Sequence, residues 1–354
     1  MTDFLQLHFL TFYPPSNLNR DDLGRPKSAI IGGSTRLRIS SQALKRTWRT
    51  SDVFKTTLDG HLASRTQRIG EVIHEHLLAA QVAPEKAVKI TREIIAVFGK
   101  PKPEADKAPL FTEQLAFISP EECSAALELA DRMVADAKFD AKKQAGEILR
   151  RSDTAADLAM FGRMLADNPD YNREAAVQVA HAVTTHKTTI EDDYYTAVDD
   201  LKKPSEDAGA GFLGEAGFGA GVFYLYACID RDLLCRNLGG DDTLAGLACA
   251  ALVEAAATVS PAGKQASFAS RARASYILAE RGTDQPRALT AAFLKPVGEA
   301  EPDGTMAASI KELTKLRAAL AQAYGDGAGP TAEMNVLNGE GTLEGIKAFC
   351  RAGI

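Results

Sequence analysis

The run Phe4-Leu5-Gln6-Leu7-His8-Phe9-Leu10-Thr11-Phe12 is almost continuously apolar, the pattern of a strand largely buried within a sheet, and Tyr13-Pro14-Pro15 closes it. A chain that begins this way must supply partners for that strand. A long loop follows, from Asn19-Arg20-Asp21-Asp22 to Ile31-Gly32-Gly33. Beyond it, Arg36-Leu37-Arg38-Ile39-Ser40 alternates with period two and reads as a short strand whose basic residues share one face. Ser40 and Ser41 suit the N-cap of a helix starting near Gln42. In that helix Gln42, Lys45, Arg46 and Arg49 fall at i, i+3, i+4 and i+7, one polar and cationic stripe, while Leu44 and Trp48 face inward.

From about residue 60 to 152 the pattern turns helical, with Ile69, Val72, Ile73 and Leu77, then Ala87, Ile90, Ile94 and Val97, and then Glu121 to Arg151. This block reads as a helical subdomain inserted between strands. Strands resume at Val177 to Thr184 and at Gly221 to Ile229. Between them, residues 188–219 read as a long polar loop, and loops of that length commonly carry function. Asp241 to Val259 reads as an amphipathic helix and Gln265 to Leu278 as another strand. With the insertions removed, the order is strand, helix, strand, strand, helix, strand, that of an α+β, ferredoxin-like domain. The common RNA-recognition domain shares this topology, although no aromatic RNP signature occurs here.

The chain has 354 residues and a formal charge of −6, which by itself argues against a nucleic-acid partner. Its distribution argues otherwise. Residues 20–49 carry eight basic side chains against two acidic ones, a local charge of +6, so the rest of the chain stands near −12. Such asymmetry fits one face that meets an anion and a remainder that repels non-specific partners. Helix N-terminal amides, two serine hydroxyls and a row of cations suit a polyanion with regularly spaced phosphates. The plainer alternative is a solvated helix face, but this stripe adjoins a second basic strand within the one basic segment. The five cysteines form no C-x-x-C pair and read as reduced thiols. Met1 to Pro14 has no basic leader, and no apolar run approaches a membrane span, so a soluble cytoplasmic protein is expected.

Motifs for enzymatic chemistry lack their contexts. Gly209-Ala-Gly211-Phe-Leu-Gly214 satisfies G-x-G-x-x-G, but an acidic loop precedes it and a strand follows, where a dinucleotide fingerprint needs a strand before and a helix after. His181 and His186 would point to opposite faces of a strand, and His74 and His76 are two apart on a helix, so neither pair is spaced to hold a metal. No catalytic residue, metal or cofactor is expected.

Three stretches, Ser16-Asn-Leu-Asn-Arg-Asp-Asp-Leu23, Ala29-Ile-Ile-Gly-Gly33 and Arg38-Ile-Ser-Ser-Gln-Ala-Leu-Lys-Arg46, resemble the N-terminal region of the CasC backbone subunit of the type I-E CRISPR Cascade. Ala180-His-Ala-Val-Thr-Thr-His186, Tyr195-Thr-Ala-Val-Asp-Asp-Leu201 and Gly221-Val-Phe-Tyr-Leu-Tyr226 follow in that family's order and spacing. The likeness spans about 100 residues and is weaker in the helical insertion and the C-terminal third.

The resemblance implies a hand-like protein: an RNA-recognition-type palm over 1–59 and 176–354, helical fingers over 60–175, and a thumb loop over 188–219. Copies would stack head to tail along a guide RNA beside other Cascade subunits, the thumb displacing a base at intervals and the rest staying open to target DNA. The palm contacts it implies are Arg20, Lys27, Arg38, Ser40, Gln42, Lys45, Arg46 and Arg49, with Tyr195 and Thr196 on the thumb, and Lys264 and Gln265 fitting less closely. Phe161-Gly-Arg-Met164 resembles the segment that wedges an apolar side chain beside the displaced base, with Arg163 and Met164 at the RNA. The alternative is a solvent-facing arginine beside a core methionine, and both readings stand. The acidic, glycine-rich thumb departs from what an RNA-covering loop would carry. Related type III backbone subunits cut RNA with an aspartate after the first strand, a role open to Asp21 or Asp22; here the pair is expected to brace its loop or a neighbouring subunit. An assembly protein that polymerises without RNA is a further alternative.

Overall fold

The chain is described by a computed structural model over residues 1–136, 141, 143–197, 212–298, 304–327 and 329–353. In chain order its first half runs β1 (Phe4–Ser16), β2 (Ser28–Ile31), β3 (Ser34–Ile39), α1 (Ser41–Arg49), α2 (Asp52–Thr57), β4 (Ser64–Thr66), α3 (Ile69–Ala79), α4 (Pro84–Phe98), β5 (Ala116–Ile118), α5 (Pro120–Ala135), α6 (Ala145–Ile148) and α7 (Ala156–Phe161). There follow β6 (Val177–Val179), β7 (Ala182–Thr184), β8 (Glu191–Ala197), β9 (Phe212–Asp230), α8 (Arg231–Asn237), α9 (Asp242–Thr258), α10 (Gln265–Phe268), β10 (Tyr276–Gly282), α11 (Gly304–Tyr324), β11 (Thr331–Asn335) and α12 (Leu343–Arg351). The class is α+β, with an antiparallel main sheet.

The apolar run of β1 is explained by its place. It lies inside the sheet, between β10 and β9, in the order β11-β10-β1-β9-β7-β3-β2. Its odd residues Leu5, Leu7, Phe9 and Tyr13 pack with Leu44 and Trp48 of α1, Phe54 of α2, and α9 and α12. Leu10 packs on the other side with Tyr224, Tyr276, Phe293 and Leu313 of α11. Both faces are covered, so neither can be polar without a partner. The strand runs through Pro14-Pro15 to Ser16 rather than closing at Tyr13, with a register shift between Tyr13 and Ser16. Such an irregularity tolerates residues that lack an N–H.

On the α11 side the core is partly polar. Tyr224 Oη meets His8 Nδ1 at 2.9 Å and accepts the Leu289 N–H, while His8 Nε2 lies 3.1 Å from Glu280. Glu280 also pairs with Arg287 at 3.1 Å and Arg317 at 2.7 Å. Burial lowers the His8 pKa despite the adjacent carboxylate, so the ring is neutral and its Nε2–H donates to Glu280. Burial alone would raise Glu280, but hydrogen bonds from His8, Arg287 and Arg317 outweigh it and hold the carboxyl well below its usual range.

A separate apolar cluster joins α3, α4 and α5 to Ile148, Leu149 and Leu165. A capping box at Ser119 and Glu122 starts α5. Residues 137–140 and 142, within the stretch read as helix to Arg151, lie outside the described residues.

Three further expectations change. Residues 191–197, read as loop, form a strand that pairs antiparallel with β9 from Glu191↔Phe218 to Ala197↔Phe212; residues 198–211 of that segment lie outside the described residues. The ribbon's exposure on both faces of β8 erases the alternation by which a strand is recognised. Val177 to Thr184 is two short strands, broken at Ala180-His181, and both pair with β9. Gln265–Phe268 is a helical turn rather than the start of a strand, flanked by Lys264 and Ala269 in the left-handed region at φ 53° and 49°, and the strand begins at Tyr276.

Candidate nucleic-acid interface

Helix α1 presents its cations because its other face is committed to the core. Trp48 and Leu44 are buried there, and the Ser40 hydroxyl accepts the Ala43 N–H at the N-cap. Ser40 is itself tied down, its N–H donating to Asn19 Oδ1 at 2.9 Å. Gln42, Lys45, Arg46 and Arg49 then line one wall of a cavity of about 500 Å³. Arg65 on β4, Leu115 and Phe117 on and beside β5, and Phe161 to Met164 after α7 form the rest. Four cations beside exposed apolar side chains can hold phosphates along one wall and stack or wedge bases along the other.

Two of these cations are held in place. Arg49 stacks over Phe117 at 5.1 Å and lies 3.5 Å from the Asp157 carboxylate. Lys45 sits 5.7 Å from the Phe161 ring centre, and burial lowers its pKa.

Arg163 and Met164 take the reverse of one expected arrangement. The Arg163 guanidinium is buried, pairing with Glu122 at 2.5 Å and donating to the carbonyls of Phe117, Tyr171 and Arg150. It is therefore not solvent-facing. Met164 is 85 % exposed instead of lying in the core. Gly162 sets this turn at φ +75°, where a Cβ would come 2.8 Å from the Arg173 carbonyl oxygen.

A second basic group lies where the Asn17–Lys27 loop crosses β3. Lys27, Asn19 and Arg38 border a small cleft with Phe223, and Arg38 reaches His181 Nδ1 at 2.7 Å. Burial and the nearby charges of Arg38 and Lys27 lower the His181 pKa. Arg36, expected to share Arg38's outward face, is buried, its guanidinium donating to the Thr184 and Phe293 carbonyls. Asn17 holds the loop down by donating to the Gly24 and Gly217 carbonyls, both at 2.9 Å. Arg20 is exposed within this loop, opposite Pro26. Asp21 closes the loop's turn by accepting the Leu23 and Arg25 N–H groups, and Arg25 pairs with Asp192 on β8 at 2.9 Å.

Lys264 and Gln265 are brought to this loop by Gly263, where a Cβ would lie 2.4 Å from the Leu18 carbonyl oxygen. Tyr195 and Thr196 lie out on the β8–β9 ribbon opposite Gly214 and Leu213, the Tyr195 ring covering Gly214. Gly209 to Gly211 of the glycine motif lie outside the described residues, and Phe212 to Gly214 are strand. Sequence reading missed Arg65, Leu115 and Phe117 as cavity walls, because a two-stranded ribbon of β4 and β5 places them across from α1.

The model of the CT1975-like protein family matches residues 5–349. No curated protein matches the chain. A chain of a solved structure titled "CRISPR RNA-guided surveillance complex, pre-nicking" is 29% identical, with a TM-score of 0.85 and 99% of each chain covered. A chain from a "CRISPR RNA-guided surveillance complex" is similar in fold, at 24% identity and a TM-score of 0.74, covering 99% of this chain and 100% of that one.

Proposed function

Since this chain belongs to the CT1975-like protein family, we propose that it is a backbone subunit of a CRISPR surveillance complex of the Cascade type, holding guide RNA by its phosphates without regard to sequence. The observation that carries the reading is the cavity: the stripe of Gln42, Lys45, Arg46 and Arg49 lines it, with Met164 projecting from the facing turn. Phosphate contacts position the guide, and base pairing supplies specificity for the target DNA. Copies stack head to tail along the RNA and join other subunits of the complex, in the cytoplasm.

In this reading, residues 1–59 and 176–354 are a ferredoxin-like palm, 60–175 the fingers and 188–219 the thumb. The neighbour order β10-β1-β9 followed by β6 and β7 supports such a palm, since it is the strand order four-one-three-two of that topology. The separate apolar cluster of α3, α4 and α5 supports distinct fingers. The subunit performs no chemistry of its own. Asp21 accepts two backbone N–H groups of its own turn through Oδ1, which supports a bracing role. Among the described residues, no helix is long and apolar enough to cross a membrane.

A gel-shift series with labelled single-stranded RNAs of increasing length, magnesium present, tests this. Discrete steps that grow in number with length, with intact RNA, are expected. Oligomers that form equally well without RNA, or RNA cut at regular intervals, would refute it.

A further inference from the structure

Beneath the cavity lies a carboxylate that phosphate holding does not itself require. Asp157, near the start of α7, is fully buried. Its Oδ1 accepts the Ala63 N–H at 2.8 Å and the Leu158 N–H at 3.0 Å, tying α7 to the segment entering β4. Its Oδ2 is equally buried and meets no backbone donor; its partner is the Arg49 guanidinium, 3.5 Å away. An asparagine would still accept both backbone N–H groups through Oδ1, so those two bonds require neither the second oxygen nor its charge.

Arg49 stands between this carboxylate and the cavity, its guanidinium carbon 5.1 Å from the Phe117 ring centre and its side chain 16% exposed. A phosphate in the cavity and the Asp157 carboxylate would compete for one guanidinium, with the carboxylate deprived of water. One cation does not neutralise two anions, so a bound phosphate favours loss of charge by one of them. A phosphodiester has no proton to gain in the neutral range, whereas burial already raises the Asp157 carboxyl to about 6, against the opposing backbone bonds and the Arg49 charge.

Resting on the reading of the cavity as a phosphate site, we propose that Asp157 is a positioning residue that anchors Arg49 in the empty cavity and takes up a proton when guide RNA claims that arginine. Guide binding is thereby coupled to proton uptake, and affinity rises as pH falls through the neutral-to-acid range. The other charged groups around the site are Lys45 and Arg46 on α1, Arg65 on β4 and the buried Arg163–Glu122 pair. His61, ahead of β4, touches α7 through its carbonyl, which accepts the Ala156 N–H. His181, beside Arg38, is the further group that would gain charge in acid near a basic surface.

The test uses labelled oligo(U), whose bases do not titrate in this range, with the full chain. Anisotropy should report binding roughly three- to ten-fold tighter near pH 5.5 than near pH 7.5, within the limit of about ten-fold per pH unit for one proton. Calorimetry near pH 6.5 in two buffers of different ionisation enthalpy should report an uptake of roughly half a proton. Asp157→Asn should bind near pH 7.5 as tightly as the unaltered protein does near pH 5.5, with no uptake; His181→Gln should retain the uptake. Zero uptake by the unaltered protein, or uptake lost with His181→Gln, overturns the proposal, and the first needs no variant to fold. Binding that is present but equally pH-dependent in Asp157→Asn overturns it as well. No oligo(U) binding at any pH overturns the cavity reading and this proposal with it.

Discussion

Removing the Arg163 side chain should cost the fold far more than it costs RNA binding. The guanidinium is 1% exposed and its Glu122 partner 0%. Glu122 also accepts the Ser119 and Arg150 N–H groups, at 3.2 and 2.8 Å, so it is fastened in place and cannot swing out to water. Arg163→Ala would leave that carboxylate without its cation and take a donor from the carbonyls of Phe117 and Tyr171. Breaking a buried pair from one side typically costs about 3–5 kcal/mol, a large share of the roughly 5–15 kcal/mol that holds a protein folded. Urea titration followed by far-ultraviolet circular dichroism measures the loss. Because Leu165 belongs to the α3–α4–α5 cluster, the single tryptophan, Trp48 in the other core, should lag behind the dichroism signal. Adding Glu122→Gln to Arg163→Ala, which removes the stranded charge and keeps a side-chain acceptor for the helix cap, should restore part of the loss. Met164→Ala, at an exposed side chain, should stay within about 0.5 kcal/mol. A loss below about 1 kcal/mol for Arg163→Ala, together with a flatter salt dependence of RNA binding, would show that this arginine faces RNA.

Two predictions concern charge elsewhere. Lys45→Ala with Arg46→Ala, which leaves the Arg49–Asp157 pair alone, should weaken RNA binding equally for all sequences and flatten the log–log salt slope by about 1.4, at roughly 0.7 per single-strand phosphate contact; unchanged affinity at matched salt would remove α1 from the site. Glu280 is held below its ordinary value of about 4.5, so the stability it supplies is present above that pH and fades as pH falls below it. Urea midpoints of the unaltered protein should therefore drop more steeply between about pH 5 and pH 3 than those of Glu280→Gln, and parallel curves would refute the assignment.

Much of the architecture was legible because it is written in local periodicity. The α1 stripe depends only on residues three and four apart, and Ser40 caps the helix as its hydroxyl and position predict. The almost continuous apolar run of β1 is satisfied by a strand covered on both faces. The β8–β9 ribbon was not legible, since a strand exposed on both faces has no buried side to impose alternation. Nor was the turn at Gln265, whose direction depends on Gly263 fitting against the Leu18 backbone.

The sequence by itself determined which residues could meet an anion, because the cations fall on one helical stripe wherever that helix is placed. Only the tertiary structure decided which of them face the cavity. Arg163 and Met164 are chain neighbours, yet Glu122, forty-one positions away, draws one inward and leaves the other outside. Arg36 and Arg38 share a strand face, yet the Thr184 and Phe293 carbonyls bury the first. Asp157 comes beneath Arg49 through α7, far along the chain. A buried charge goes where its partners are, and partners distant in sequence leave no trace in local spacing.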